Sequence, residues 1–205
     1  HGGAVLVMKR VILEKTLAAG AGGRLTVVRG DFMALDAAQL GLAGGPRALL
    51  CGNLPYQRVS GILVRAVEEL RPHLCALVFM MQREVAKRIA SPPGSRDYGI
   101  LSVYLQPYYD IKTVLKVSPG SFFPPPKVDS TVLAFEPLPR DPEIRDWALF
   151  KSVVRAAFNQ RRKKIAGALK GSPLLEVDAG RIETALQRCP GLRDERAANL
   201  SWKDF

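Results

Sequence analysis

Leu74-Cys75-Ala76-Leu77-Val78-Phe79-Met80-Met81 is an almost unbroken apolar run. A strand with one wet face alternates polar and apolar residues, so this run predicts a central strand covered on both faces. Just upstream, Gln57 to Leu70 reads as a helix, because Ile62, Leu63, Val64, Ala66, Val67 and Leu70 lie mostly on one face. Ahead of it, Ala48-Leu49-Leu50-Cys51 reads as a strand that ends at Gly52-Asn53. Leu25 to Val28 reads as another, ending at Gly30-Asp31, and Val11 to Ala19 as a helix stopped by the glycines at 20, 22 and 23. Ala4-Val5-Leu6-Val7-Met8 is short, apolar and bounded by glycine, the pattern of a buried strand. Downstream, Arg83 to Ala90 continues as helix. Strands that alternate with helices, and that are themselves continuously apolar, predict an α/β parallel sheet with crossover helices.

The pattern then changes. Ile111 to Val117 and Val128 to Phe135 read as two strands joined by a proline-rich link, Ser118 to Lys127. They are expected to form an antiparallel pair closing one edge of the sheet. Pro137, Pro139 and Pro142 follow closely, a linker composition. Beyond them the β signal stops and several short helices are expected. The predicted division is 1–138 and 139–205.

Composition narrows the function. The chain of 205 residues is 47% hydrophobic and 24% charged, which excludes disorder, collagen and coiled coil as whole-chain readings. Lys plus Arg number 30 against 19 Asp plus Glu, a net charge of +11 that favours a polyanionic partner. No apolar run approaches the roughly 20 residues of a membrane span, and no signal-peptide pattern opens the chain. Cys51, Cys75 and Cys189 are far apart and not in metal spacing, so a reducing cytoplasm is expected. The charge is uneven: Lys151 to Lys170 holds seven basic residues and no acidic one, centred on Phe158-Asn159-Gln160-Arg161-Arg162-Lys163-Lys164. Such a run is either a solvated helix face or a phosphate-contacting surface. The total charge favours the second, with salt-sensitive and mostly sequence-independent affinity.

Ligands of open α/β sheets bind at the carboxyl ends of strands. Asn53-Leu54-Pro55-Tyr56 falls at such an end. The proline stiffens the loop and lacks an N–H, the asparagine supplies a carbonyl acceptor, and the tyrosine supplies a flat face with a polar tip. Acceptors beside an aromatic plane suit a planar ring bearing an exocyclic amine. An adenine amine is a poor nucleophile because its lone pair is delocalised; accepting both N–H bonds lets the nitrogen pyramidalise and localises the pair. The alternative for these four residues is a β-turn with a buried tyrosine. Phe122 and Phe123, on the proline-stiffened link, offer a second aromatic to sandwich a base drawn from its stack; the alternative is a proline turn with two core phenylalanines. Asp31 also ends a strand, where a helix N-cap is the plain reading. His73, Cys51, Met80, Met81 and Glu68-Glu69 read as structural or solvated residues, and no metal-ligand set stands out.

Together, Gly52-Asn53-Leu54-Pro55-Tyr56, Met81 to Arg88, Asp97 to Val103, Phe122 to Ser130 and Phe158 to Lys164 resemble the ribosomal RNA adenine dimethyltransferases of the KsgA type. The resemblance runs from about Ala4 to the C-terminus. It implies a class I, Rossmann-like, S-adenosyl-L-methionine-dependent methyltransferase sheet with a small C-terminal all-α domain that binds RNA. The implied substrate is two adjacent adenines near the 3′ end of small-subunit ribosomal RNA, each dimethylated on N6, in the pre-30S particle during ribosome biogenesis. The implied enzyme is cytoplasmic and monomeric. By matching motifs, Asn53 and the Leu54–Pro55 backbone hold the amine, and Tyr56 and Phe122 stack on the base. Asp31 bonds the amino group of the cofactor's adenine, Phe32 lies beside that ring, and Asn53 also borders the cofactor. Arg155, Asn159, Gln160, Arg161, Arg162, Lys163 and Lys164 face the RNA.

The family's glycine-rich loop, which receives the methionine part of the cofactor, lies ahead of position 1. Lys9 and Arg10 stand where the family has an acidic residue, and an omitted stretch is expected between Met8 and Val11. These 205 residues alone are expected to bind cofactor poorly and to be inactive. Two other readings remain: a large-subunit adenine methyltransferase of the erythromycin-resistance type, which usually has Ile at the position of Leu54, and a non-catalytic rRNA-binding assembly factor on the same fold.

Overall fold

The computed structural model describes residues 4–7, 28 and 30–205, with backbone only at 4–7. The described strands are β1 (Ala4–Val7), β2 (Ala48–Asn53), β3 (Leu74–Gln82), β4 (Tyr109–Val117) and β5 (Ser130–Pro137). The described α-helices are α1 (Val59–Arg65), α2 (Arg83–Ala90), α3 (Ile100–Leu105), α4 (Trp147–Asn159), α5 (Ile165–Lys170) and α6 (Ala179–Arg188). The expected helix at 11–19, the expected strand at 25–28 apart from Val28, and the short connection after Met8 lie outside the described residues.

The strands form one sheet in the order β1-β2-β3-β5-β4. β1, β2 and β3 run parallel, whereas β5 pairs antiparallel with both β3 and β4. The fold is therefore mixed α/β, with the expected antiparallel pair at one edge. β3 is central, as its apolar run predicts, but its two faces differ. Leu77, Phe79 and Met81 are wholly buried, while Val78 and Met80 are half-buried among the described residues. The buried face continues into β5, where Phe135 meets Phe79 edge-on with ring centroids 6.3 Å apart. β4 carries a bulge at Val114, which leaves Val114 and Leu115 both exposed.

The helix expected over 57–70 starts late and ends differently. The Arg58 N–H donates to the Pro55 carbonyl in a turn that delays α1 to Val59. After Arg65 the chain widens into a π-helical turn over Ala66–Leu70. Helix α2 has the bounds the sequence predicts. Helix α3 was not anticipated, although Gly99 before Ile100-Leu101 and Val103-Tyr104-Leu105 carries its signal.

The described chain divides into two compact units. The first holds the sheet, with the described residues up to Ala86 and Tyr109–Pro137. The second holds Lys87–Tyr108 and Leu138–Phe205. The division after Pro137 falls in the proline-rich linker, and Lys87–Tyr108, assigned by the sequence to the first domain, groups with the second unit. That unit has its own core of Ala156, Ala157, Ile165, Leu175, Ile182, Leu186, Ala197 and Leu200. Two of its helices are capped by side chains: Asp146 accepts the Leu149 N–H at the start of α4, and Asp178 accepts the Gly180 N–H at the start of α6.

Candidate active site

Asn53 is the last residue of β2 and lies in register with Met80 of β3. The next N–H, that of Leu54, donates to the Met80 carbonyl at 2.9 Å, and the Leu54 side chain is only 1% exposed. Leu54 thus pins the chain to the sheet, and Pro55 turns it toward α1. The result is outward display: Asn53, Pro55 and Tyr56 are exposed. The turn does not bury the Tyr56 ring, which is 45% exposed. Among the described residues, nothing donates to the Asn53 side chain or to the Leu54 carbonyl, while the Pro55 carbonyl accepts the Arg58 N–H at 2.8 Å. Of the two backbone acceptors suggested by the motif, Leu54 is the uncommitted one.

The register brings the proline-rich link to the same end of the sheet. Gln82 at the end of β3 pairs with Ser130, and Ser130 pairs with Val117. The link therefore leaves and returns where β2 and β3 finish. It folds through a 3-10 turn, Pro119–Ser121, whose Pro119 carbonyl accepts the Phe122 N–H. Phe122 is half-buried, whereas Phe123 projects fully into solvent. Arg83 ties the link down twice: its N–H donates to the Asp129 carbonyl at 2.9 Å, and its guanidinium lies 2.6 Å from the Asp129 carboxylate. A cleft of about 320 Å³ opens there, lined by Gln82, Arg83, Pro119, Lys127 and Asp129 among others.

Asp31 opens a turn over 32–34 rather than a helix. Its Oδ1 accepts the Met33 N–H at 3.0 Å, in the manner of an N-cap. Its Oδ2 lies 3.9 Å from the Arg58 guanidinium. Arg58 closes the Pro55 turn, so Asp31 is joined to the segment that displays Asn53 and Tyr56. Met33 packs against α1, where a Cβ at Gly61 would lie 3.5 Å from the Met33 methyl. Phe32 is half-buried, with the Arg65 guanidinium 5.1 Å from its ring centroid. Sequence reasoning did not single out Arg58, Arg65 or Arg83. Arg65 carried a signal, since it falls among the apolar positions of its helix.

The basic segment belongs to the second unit. Arg155, Asn159, Arg161, Arg162, Lys163 and Lys164 are exposed, and Gln160 is half-buried. Not all of that charge is available. Lys164 pairs with Asp194 at 2.7 Å, and this contact holds the Asp194 carboxyl below its ordinary range. Arg161 donates to the Arg96 carbonyl at 2.6 Å, and the Gln160 amide nitrogen to the Gly171 carbonyl at 3.3 Å. Among the described residues, Arg155, Arg162 and Lys163 have no ionic partner. Phe158 contributes packing, with its ring centroid 6.1 Å from that of Tyr98.

Cys51 is half-buried, and burial pushes its thiol above the ordinary value, away from nucleophilic character. His73 closes a short 3-10 turn before β3. Among the described residues, no group of His, Cys, Asp and Glu is placed to hold a metal, and no helix is long and apolar enough to cross a membrane.

An acceptor-rich turn with an exposed tyrosine, at the carboxyl end of a strand in a mixed α/β sheet, has the chemistry to accept the N–H groups of an exocyclic amine. The chain matches the Ribosomal RNA adenine dimethylase family over residues 7–179 and belongs to that family. It is 41% identical over 192 residues to the ribosomal RNA small subunit methyltransferase A of Anaeromyxobacter sp. (strain K), an alignment covering 88% of this chain and 66% of that one. It is 40% identical over 200 residues to the protein of the same name from Myxococcus xanthus, covering 95% and 66%. The chain thus spans slightly under two thirds of the length of these relatives. Its fold is similar to a dimethyladenosine transferase from Plasmodium falciparum, with a TM-score of 0.65 at 20% identity over 76% of this chain and 64% of that one. It is similar also to the 23S rRNA methyltransferase ErmE, with a TM-score of 0.61 at 23% identity over 98% and 78%.

Proposed function

We propose that the protein methylates N6 of two adjacent adenines near the 3′ end of small-subunit ribosomal RNA, to dimethyladenosine, with S-adenosylmethionine as donor. The observation that carries this reading is the Asn53–Tyr56 turn, whose Asn53 side chain and Leu54 carbonyl are free acceptors beside an exposed phenol ring. Family membership and the two relatives' shared name support the choice of substrate.

The chemistry follows from the acceptors. An extruded adenine stacks on Tyr56, with Phe122 supplying the second aromatic face. Asn53 Oδ1 and the Leu54 carbonyl oxygen accept its two amine N–H bonds. The nitrogen pyramidalises and its lone pair turns outward. On transfer the methyl carbon's bond to sulfur would break as the N–C bond forms, its electron pair leaving with sulfur, and the surplus amine proton would pass to water. When bound, S-adenosylmethionine supplies an electrophilic methyl carbon on a sulfonium. The residues present fit the adenine end of that molecule. Asp31 retains acceptor capacity at Oδ2 for an exocyclic amine, and the neighbouring Phe32 offers a half-buried aromatic ring. Positioning and amine activation suffice, and no basic side chain is needed before attack.

On this reading the sheet unit is a class I methyltransferase domain, and 139–205 forms the small helical RNA-binding domain of a cytoplasmic monomer. Arg155, Arg162 and Lys163 offer the uncommitted charges for phosphate contact. The test is incorporation of labelled methyl by the full-length protein into undermethylated small-subunit and large-subunit particles. Label in small-subunit dimethyladenosine is expected. Label confined to large-subunit RNA, or none in either, overturns the reading.

A further inference from the structure

A buried cation next to the Asp31 turn has no part in the mechanism above. Arg65 is 5% exposed, at the end of α1. Its guanidinium nitrogens donate to the backbone carbonyls of Phe32 and Leu35 and, through Nε at 2.8 Å, to Glu69. Its carbon lies 5.1 Å from the centre of the Phe32 ring. Burying a guanidinium is costly unless its donors are satisfied, and here the compensation comes largely from one loop. Two of the three acceptors are main-chain carbonyls of that loop, and the ring covered is the loop's own. Arginine's planar fork suits such bridging, since one rigid group fixes two carbonyls at a set separation. The loop is held from inside as well: a Cβ at Gly30 would lie 3.2 Å from the Leu35 side chain, so Leu35 folds back over the start of the turn.

We propose that Arg65 is a positioning residue for the cofactor: by clamping the Phe32 and Leu35 carbonyls to α1, it fixes the turn that presents Asp31 and Phe32 to the adenine of S-adenosylmethionine. This rests on the reading of Asp31 and Phe32 given above. Arg65 acts through the turn and does not touch the reacting atoms. A loosened turn presents the Asp31 carboxylate in many orientations, so the contact that distinguishes an adenine amine from a keto group is lost first.

The experiment uses the full-length protein with Arg65→Lys, which keeps the charge without the fork, and Arg65→Gln, which removes the buried charge. Calorimetry measures dissociation constants for S-adenosylhomocysteine and for its hypoxanthine counterpart, with RNA affinity and thermal unfolding in parallel. A folded variant is expected to bind S-adenosylhomocysteine about tenfold more weakly, the size of one lost hydrogen bond. Its preference for adenine over hypoxanthine should collapse, and RNA affinity should not move. A purely structural role would weaken both ligands equally and leave that preference intact; this outcome overturns the proposal, as does failure of both variants to fold. Asp31→Ala separates the two levels. If it abolishes the adenine preference while the Arg65 variants keep it, Arg65 is not the positioning residue and the cofactor reading stands. If Asp31→Ala itself leaves the preference unchanged, the cofactor reading falls.

Discussion

The Asn53–Tyr56 turn and the Arg161–Lys164 segment are equally conspicuous in the sequence, yet folding treats them differently. The turn is built from backbone. Leu54 is buried and its N–H is bonded to Met80, so the Leu54 carbonyl is fixed by the backbone and, like the exposed Asn53 amide, unspent. The basic segment is built from long side chains that find partners within the fold. Lys164 pairs with Asp194, and Arg161 donates to a carbonyl. A motif that presents backbone carbonyls keeps them through folding, whereas a motif of charges is thinned by it.

The sharpest test of this contrast is Asn53→Ala. If a fixed acceptor activates the amine, its loss should cut turnover on the order of a hundredfold, the usual cost of removing one preorganised polar contact in a transition state. RNA affinity should stay within a few-fold, because the charges proposed to contact phosphate belong to the second unit. Single-turnover methylation and equilibrium RNA binding, measured on the same preparation, separate the two. Equal losses in both would make Asn53 a binding group and remove the distinction drawn between the regions.

The same contrast explains what could be read from sequence. The run at Leu74–Met81 located the central strand because apolar patterning is local. The proline-rich link between two β-branched runs located the antiparallel edge. Asn53-Leu54-Pro55-Tyr56 was legible because a proline after a strand end constrains backbone by itself. What depended on distant partners was not legible. The Pro55–Arg58 bond that delays α1 could not be seen, nor the Arg83–Asp129 contact that ties the end of the link to the start of α2 across 46 positions. Arg65 looked like one charge in an apolar helix face, and its two main-chain acceptors lie 30 and 33 residues away. The grouping of Lys87–Tyr108 with the second unit likewise depends on long-range packing.

A smaller effect tests the thinning of the charges. Arg162 has no ionic partner among the described residues, whereas Lys164 is matched by Asp194. Arg162→Gln should lower the steepness of log K against log salt by about 0.7–0.9, the value of one released phosphate contact. Lys164→Gln should change it much less, because it removes a charge already balanced locally. Anisotropy titrations over a range of potassium chloride concentrations measure both slopes. Equal changes would show that RNA pulls Lys164 from its partner, and that surface charge can be counted from sequence after all.

The smallest effect concerns the same unit's internal pairing. Glu183 lies 2.5 Å from Arg193 and also pairs with Lys170. The Arg193 hydrogen bond, then that of Lys170, pulls its carboxyl from the ordinary 4.5 to about 2. In the unfolded chain the group returns to its ordinary value. Between these two pH values the unfolded state therefore binds the extra proton, and stability falls as pH is lowered. The contribution is fully present above about pH 4.5 and is lost as pH falls through about 2. Because Glu183 is partly exposed, solvent screening keeps the effect modest. Urea unfolding across this range should show an acid limb that is shallower in Glu183→Gln than in the parent, with the two proteins converging toward pH 2. Parallel acid limbs would mean that the Lys170 and Arg193 charges are held by solvent rather than by Glu183, and are as free for an external anion as those of Arg162 and Lys163.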